Sequence, residues 1–433
     1  MRLFKAGLLL TTLIAITPLS FAKILPWNAQ IPSSLEGFKG DAQDLATLTA
    51  NHIFIYAHPT EKIKLPTFKS NHPQNAQFYS AAVVLPTPIA QVERVLKNYE
   101  QYVGLFPTLK SATTLESAGD IKQVKYQIHI PTPIPVLNFK ETVIMQHQVG
   151  KNSIDTLIID APIPFAAGKL EWFALDNNKT LVTVTQWGDL NQPKGFLFSK
   201  ILNALPEAKL GIPTGVNGFL LEALQQRFKK QSSLNLSLDQ IPQPQLTAQQ
   251  LSKISTLSQR SMQPVTFILP NYKLKDAKKT ENLRFSTAFH YYPHASNKLQ
   301  PWLAANASQQ LFPRQIKRVH IQPIDPQNVD ADFKVSVGLG VIQIPFHFKV
   351  RFKQMDALQT QYHAIGGDLK YVKGGMKLIP QTQGTLFQMT SSLKIDNQAP
   401  FLLRAMRSMP YHDILPAAGA NTVYALKIHQ KLK

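Results

Sequence analysis

The sequence predicts an α+β protein built from two tandem copies of one unit. Three observations carry this. Residues 77–230 read as a strand, a helix, a run of alternating strands and a long closing helix, the segregated order of α+β folds. Four short markers from this region recur in the same order further along the chain. One recurring marker overlaps "FHFKVRFK" (346–353), in which Phe346, Phe348, Val350 and Phe352 alternate with His347, Lys349, Arg351 and Lys353. Successive strand side chains point to opposite faces, so this stretch predicts a strand with an apolar side and a cationic side.

The chain opens with "MRLFKAGLLLTTLIAITPLSFA". Arg2 and Lys5 precede an apolar run from Ala6 to Ile16, and Ser20-Phe21-Ala22 follows as a small-x-small cleavage pattern. This predicts a secretory signal peptide over residues 1–22, a mature chain from Lys23 and a periplasmic location. The apolar run is short for ~30 Å of hydrocarbon. There is no cysteine, which excludes disulfides, thiolate metal sites and an acyl anchor on cysteine. Residues 23–76 read as a proline-bearing extension with one strand, "HIFIYA" (52–57).

In the first unit "FYSAAVVLP" (78–86) reads as a strand. Thr87-Pro88 then predicts a helix start, with threonine as N-cap and proline first in the helix. "PIAQVERVLKNYEQYV" places Ile89, Val92, Val95 and Leu96 on one face and ends near Gly104. Alternating strands follow: "KQVKYQIHI", "LNFKETVIMQHQV", "DTLIID", "GKLEWFAL" and "KTLVTVTQW", the last two joined by a "DNNK" turn (176–179). A helical stretch over 195–230 closes the unit, interrupted near Gly211 and Pro213, with Asn217 as a candidate cap.

The markers are Leu105-Phe106-Pro107 with Leu311-Phe312-Pro313, "NFKETVIM" (138–145) with "HFKVRFKQM" (347–355), "KTLVTVTQ" (179–186) with "GTLFQMTS" (384–391), and Gly215/Asn217 with Gly419/Asn421. Their offsets are 206, 209, 205 and 204, close enough to one value to mark an internal repeat. The second unit is therefore expected over 283–433. Residues 231–282, rich in Gln, Ser, Pro and Lys, read as a linker in which Thr247 caps a short helix carrying Leu251, Ile254 and Leu257.

Lys plus Arg number 46 against 26 Asp plus Glu, a formal charge of +20. Such a balance fits peripheral contact with an anionic membrane surface, or solubility alone. An exported chain makes nucleic acid a poor partner.

With "PIAQVERVLKNYEQYVGLFPTLKS" after the first strand, the element order resembles the SRPBCC or START-like superfamily, in its polyketide cyclase / coenzyme-Q-binding type. The resemblance covers most of 77–230 and reaches the second copy mainly through the first. It implies a helix-grip fold in two tandem copies, each an antiparallel sheet wrapped around a long C-terminal helix. It also implies an apolar cavity between sheet and helix that takes lipids, quinones or polyketide-like molecules.

On that reading Tyr126, Ile128, Phe139, Val143, Met145 and Trp172 line the first cavity, and Phe348, Val350 and Phe352 line its counterpart. Alternation alone fits a solid core equally well. Glu141 shares the parity of Phe139, Val143 and Met145. It either meets the polar end of a ligand or sits at a strand end in water or in an ion pair. Its position in the second copy is Val350, so its role is not shared.

The sequence holds no GxSxG, HExxH, P-loop or GxGxxG, so no catalytic residues, metal or cofactor are assigned. His290 and His294 are four apart, but Pro293 between them disfavours a shared helical face. The expected function is an exported protein that binds or carries an apolar ligand. The alternatives are a cyclase or hydrolase on a hydrophobic substrate in the same cavity, or an interaction scaffold with a filled core.

Overall fold

The computed structural model describes residues 24–49, 51–69, 72–130, 139–194, 196–228, 233–237, 239–275, 280–339, 342–397 and 399–433. The signal-peptide reading of residues 1–22 lies outside them.

In the first unit seven strands follow in order: Tyr79–Leu85, Leu109–Ala118, Ile121–Ile130, Phe139–Val149, Ser153–Asp160, Ala166–Asp176 and Lys179–Gly188. Each pairs antiparallel with the next from the second to the seventh, and the seventh pairs with the first. The spatial order is 1-7-6-5-4-3-2. The second unit repeats it with Thr280–Tyr292, Ile316–Pro323, Asn328–Leu339, Ile342–Asp356, Gln359–Gly367, Tyr371–Gln381 and Gly384–Lys394. Helices Ala208–Phe228 and Leu415–Leu432 close the two units. These are two tandem helix-grip units. The first and third sequence markers occupy equal places in them, but the second is corrected: Val143 faces Tyr126 as Phe348 faces Phe333, so the two fourth strands match four residues away from the marker alignment, and Phe346, not Val350, stands where Glu141 does.

The units share one sheet. Strand Ile53–Ala57 pairs with the first strand of the first unit and with Val265–Lys275, which forms a hairpin with the first strand of the second. Among the described residues this joins 17 strands. Ile53 to Ala57 are all buried, as a strand covered on both faces requires. On one side lie the closing helices, with Gly218 against Ile55 and Ile268. On the other side Phe54 and Phe267, 5.0 Å apart between ring centroids, pack with Phe38, Leu45, Ile254 and Leu257. The closing helices cross tightly. A Cβ on Gly211 would lie 3.1 Å from the Gly419 carbonyl oxygen, and the Thr422 and Thr214 hydroxyls are 3.4 Å apart.

Each unit is completed by the other. Tyr411, Ile414, Leu415 and Ala418, from the approach to the second closing helix, sit in the first unit's apolar cluster. Glu207 of the first unit accepts from Gln315 at 3.1 Å and pairs with Lys427 of the second. The N-terminal extension straps the outer face of the first sheet. The Leu25 backbone bonds both ends of the Gln146 amide at 2.8 Å, and Ser33 and Ser34 bond Glu171 at 2.8–3.0 Å.

Several local expectations are corrected. Helix Ile89–Leu96 has Pro88 at its N-cap with no side-chain cap; the Thr87 carbonyl instead accepts from the Thr180 hydroxyl at 2.7 Å. The closing stretch breaks at Leu205–Glu207, between Phe196–Ala204 and Ala208–Phe228, and Pro213 lies inside the second helix. Leu205 precedes Pro206, which disfavours helix at that residue, whereas Pro213 lies within the helix past its first turn, where it removes one intrahelical bond without ending the helix. Asn217 caps nothing: it is buried in mid-helix and donates to the Pro213 carbonyl at 2.9 Å. The 231–282 segment carries strand Ser233–Leu236, helix Ala248–Ser261 and the joining strand Val265–Lys275. Thr247 does cap that helix, in a reciprocal capping box with Gln250.

Candidate functional site: the interior of the first unit

Strand register places the predicted residues together. Tyr126 lies opposite Val143, Val124 opposite Met145, and Ile128 opposite Glu141; directly opposed residues share a face. Tyr126, Val143 and Trp172 are buried in one cluster with Leu221 and Leu224 of the closing helix, and Ile128 and Met145 pack against it. Glu141 shares this face, half-buried, and makes no hydrogen bond or ion pair among the described residues. Phe139 pairs with Ile130 along the backbone, but its side chain and residues 131–138 lie outside the described residues.

A polar group that sequence reasoning missed is set into this apolar wall. The Tyr126 hydroxyl is 2.8 Å from His147 Nε2, and His147 Nδ1 is 2.9 Å from the Thr156 hydroxyl. The Tyr99 ring stacks on the His147 ring at 4.3 Å. The Tyr102 hydroxyl donates to the Leu96 carbonyl at 2.7 Å. Burial pushes the His147 imidazole down to about 3, so at neutral pH it is uncharged, with one ring nitrogen donating and the other accepting. Burial pushes the phenols of Tyr99, Tyr102 and Tyr126 well above their ordinary value. His147 shares the parity of Val143 and Met145, which was the available signal. Tyr99 and Tyr102 reach the site only through the helical turns after Leu96.

Two buried donors in this cluster have no hydrogen-bond partner among the described residues: the Trp172 indole Nε1–H and the Tyr99 hydroxyl. Trp172 is 0% exposed and Tyr99 3%. Buried tryptophan and tyrosine donors ordinarily find an acceptor.

The second unit differs. Val350 is buried with Phe333, Tyr362, Phe387 and Tyr424, and Phe348 and Phe352 pack against them. Phe348 stacks on Phe333 at 5.1 Å and Phe352 lies 5.5 Å from Tyr362. Its Tyr292 and Tyr424 hydroxyls donate to the Ala425 and Trp302 carbonyls. The cationic side of "FHFKVRFK" is partly neutralised: Arg351 pairs with Asp330 at 2.7 Å, Lys349 with Asp332 at 3.7 Å and His347 with Asp368 at 3.2 Å.

Two depressions lined by described residues, one at Ile241, Gln359 and Lys377 and one at Glu36, His58 and Arg260, have room for about 10 Å³ each. That is about one water, and neither contains a predicted site residue. Among the described residues no His, Asp or Glu group could hold a metal. His290 bonds Ser258 and His429 at 3.1 and 3.3 Å. No helix among them is long and apolar enough to cross a membrane.

No family model matches the chain, and no curated protein matches it. Solved structures similar to the chain share little sequence with it. The two-domain aromatase/cyclase StfQ of the steffimycin pathway is 11% identical over 82% of this chain and 99% of its own, with a TM-score of 0.25. The two-domain aromatase/cyclase BexL of the BE-7585A pathway is 9% identical over 82% and 95%, at 0.26. A STAR-related lipid transfer protein from Xanthomonas axonopodis is 14% identical over 41% and 94%, at 0.27. The tandem helix-grip fold rests on the strand order itself.

Proposed function

We propose that the protein is exported and binds or carries an apolar molecule with a hydrogen-bond-accepting end, held in the interior of the first unit. The observation that carries this is the pair of buried donors, Trp172 Nε1–H and the Tyr99 hydroxyl, that have no partner among the described residues, inside an apolar cluster. Leaving a buried donor unpaired costs about 1–3 kcal/mol, which an accepting ligand would recover. A carbonyl, quinone or carboxyl end on a lipid or polyketide-like body has that chemistry. Binding is favoured over acid–base catalysis because both ring nitrogens of His147 are engaged by protein hydroxyls, those of Tyr126 and Thr156. The basic surplus supports peripheral contact with an anionic membrane surface.

Native mass spectrometry and solvent extraction of the protein purified from its own cells test the reading. The expected result is a co-purifying apolar molecule, with Trp172→Phe lowering its occupancy several-fold while the protein stays folded. Protein that binds neither an endogenous molecule nor a fluorescent fatty acid would leave the filled-core scaffold as the better account.

A further inference from the structure

We propose that residues 399–412 form a lipid-docking edge, placed where the second unit closes the interior of the first. Helix Phe401–Ala405 and the turn Met406–Ser408 lead directly into that closing contact. Tyr411 lies 5.3 Å from Phe219, which stacks at 6.4 Å on Phe106 of the first unit. Ile414 and Ala418 are buried in the first unit's cluster, and Leu415 packs against it.

The segment presents what an anionic lipid surface recognises. Phe401 is 66% exposed and Met409 38%, although Leu403 between them is buried against Ile344, Leu369 and Ile395. The buried leucine anchors the segment while the phenylalanine and methionine face out. Arg404 and Arg407 are exposed beside them and ion-pair with no carboxylate among the described residues. Both reach back to Asn397, Arg404 to its carbonyl and Arg407 to its side-chain oxygen. The nearby acids are half-buried: Asp396 accepts from the Ala399 N–H, and Asp413 lies toward Arg284. Apolar side chains at the headgroup boundary with cations beside them form an interfacial anchor, and guanidinium groups favour phosphate.

The docking needs no ligand. Its coupling to the first unit's interior rests on the reading of that interior as a binding site. Lipid engagement of Phe401 and Met409 would pull on the chain that carries Tyr411 and Ile414, opening the interior toward the bilayer.

The test uses the full mature chain and sedimentation with vesicles of phosphatidylcholine, alone or mixed with phosphatidylglycerol. The wild type is expected to bind the mixed vesicles. Phe401→Ser/Met409→Ser and Arg404→Gln/Arg407→Gln should each weaken that binding roughly tenfold. Lys349→Gln/Lys353→Gln, on the exposed sheet face, should change it less than about twofold. Unchanged thermal unfolding of the 401/409 variant keeps the comparison valid, and Phe401→Leu, which keeps an apolar side chain at that position, should bind within about twofold of the wild type. A wild type that ignores both vesicles overturns the docking edge. So does a 401/409 variant that binds fully, or a wild type whose exposed phenylalanine instead pairs two copies in solution. A fluorescent fatty acid added without vesicles reports the interior separately. Lost vesicle binding with intact probe binding supports the edge. Vesicle binding with no probe binding would retain the edge and remove its coupling to a ligand.

Discussion

Glu222 and Arg284 form a two-pronged ion pair, 2.9 Å on each oxygen, between the closing helix of the first unit and the first strand of the second. Arg284 is 6% exposed and Glu222 0%. A charge left alone at such a site is more costly than the pair is stabilising. Arg284→Met is therefore expected to cost about 3–5 kcal/mol, and Glu222→Leu/Arg284→Met together to recover most of it. Urea unfolding of both single variants and the double variant measures this. Additive losses would mean the pair does not act as a unit.

The closing helices make an asymmetric prediction. A Cβ on Gly211 meets the Gly419 backbone at 3.1 and 3.2 Å, whereas one on Gly419 meets Gly211 no nearer than 3.9 Å. Gly211→Ala should destabilise by about 1–3 kcal/mol as the helices are forced apart. Gly419→Ala should be neutral or stabilise by up to ~1 kcal/mol through helix propensity. Thermal unfolding of the two variants side by side checks the sign of each.

Acid should weaken the fold. Burial lowers His147 and His290 to about 3, and burial with the nearby Arg260 charge lowers His58 to about 4. Each binds a proton more tightly unfolded, at about 6.5, so the stability it contributes is full above that value. It is lost as the pH falls toward the folded value. At pH 5 each histidine removes about 2 kcal/mol relative to neutrality. Urea midpoints at pH 7.5 and 5 should show the loss, and His147→Gln should reduce it by one histidine's share. Equal stability at both pH values would contradict the buried neutral state.

The units should not separate as stable fragments. The first unit's interior takes Ile414, Leu415 and Ala418 from the second, and strand Ile53–Ala57 lies between the first strand of the first unit and Val265–Lys275, which pairs with the first strand of the second. Calorimetry of the intact chain should show one cooperative transition. A chain ending at residue 230 should lack it. Two resolved transitions, or a folded fragment, would show that the shared contacts are dispensable.

Much of the fold was legible because it is local. The alternation of "FHFKVRFK" follows from strand geometry, and Thr247 with Gln250 three residues on is a readable cap. Repeat markers at a near-constant spacing gave the two units. What was hidden depends on distant partners. Nothing in "VTFILPNYKLK" states that it pairs with "IFIYA" more than 200 residues earlier. Nothing near Thr87 states that its carbonyl will be held by Thr180. The face shared by Tyr126, Val143 and Met145 could be read by parity, but the stacking of Tyr99 on His147 needed the turns after Leu96 to bring a helix over the sheet.

The antiparallel joining strands, with Phe54 against Phe267, and the helix crossing, with Gly211 against Gly419 and Thr214 against Thr422, have the form of a twofold contact written into one chain. A single unit bearing one joining strand would present the same self-complementary surface and pair with a second copy of itself. Such a contact closes at two and leaves no face for a third. Duplication in tandem fixes the stoichiometry of that pair at one to one. It also frees the halves to diverge, the first keeping Trp172 and Tyr99 donors without partners among the described residues and the second tying the Tyr292 and Tyr424 phenols to its own backbone.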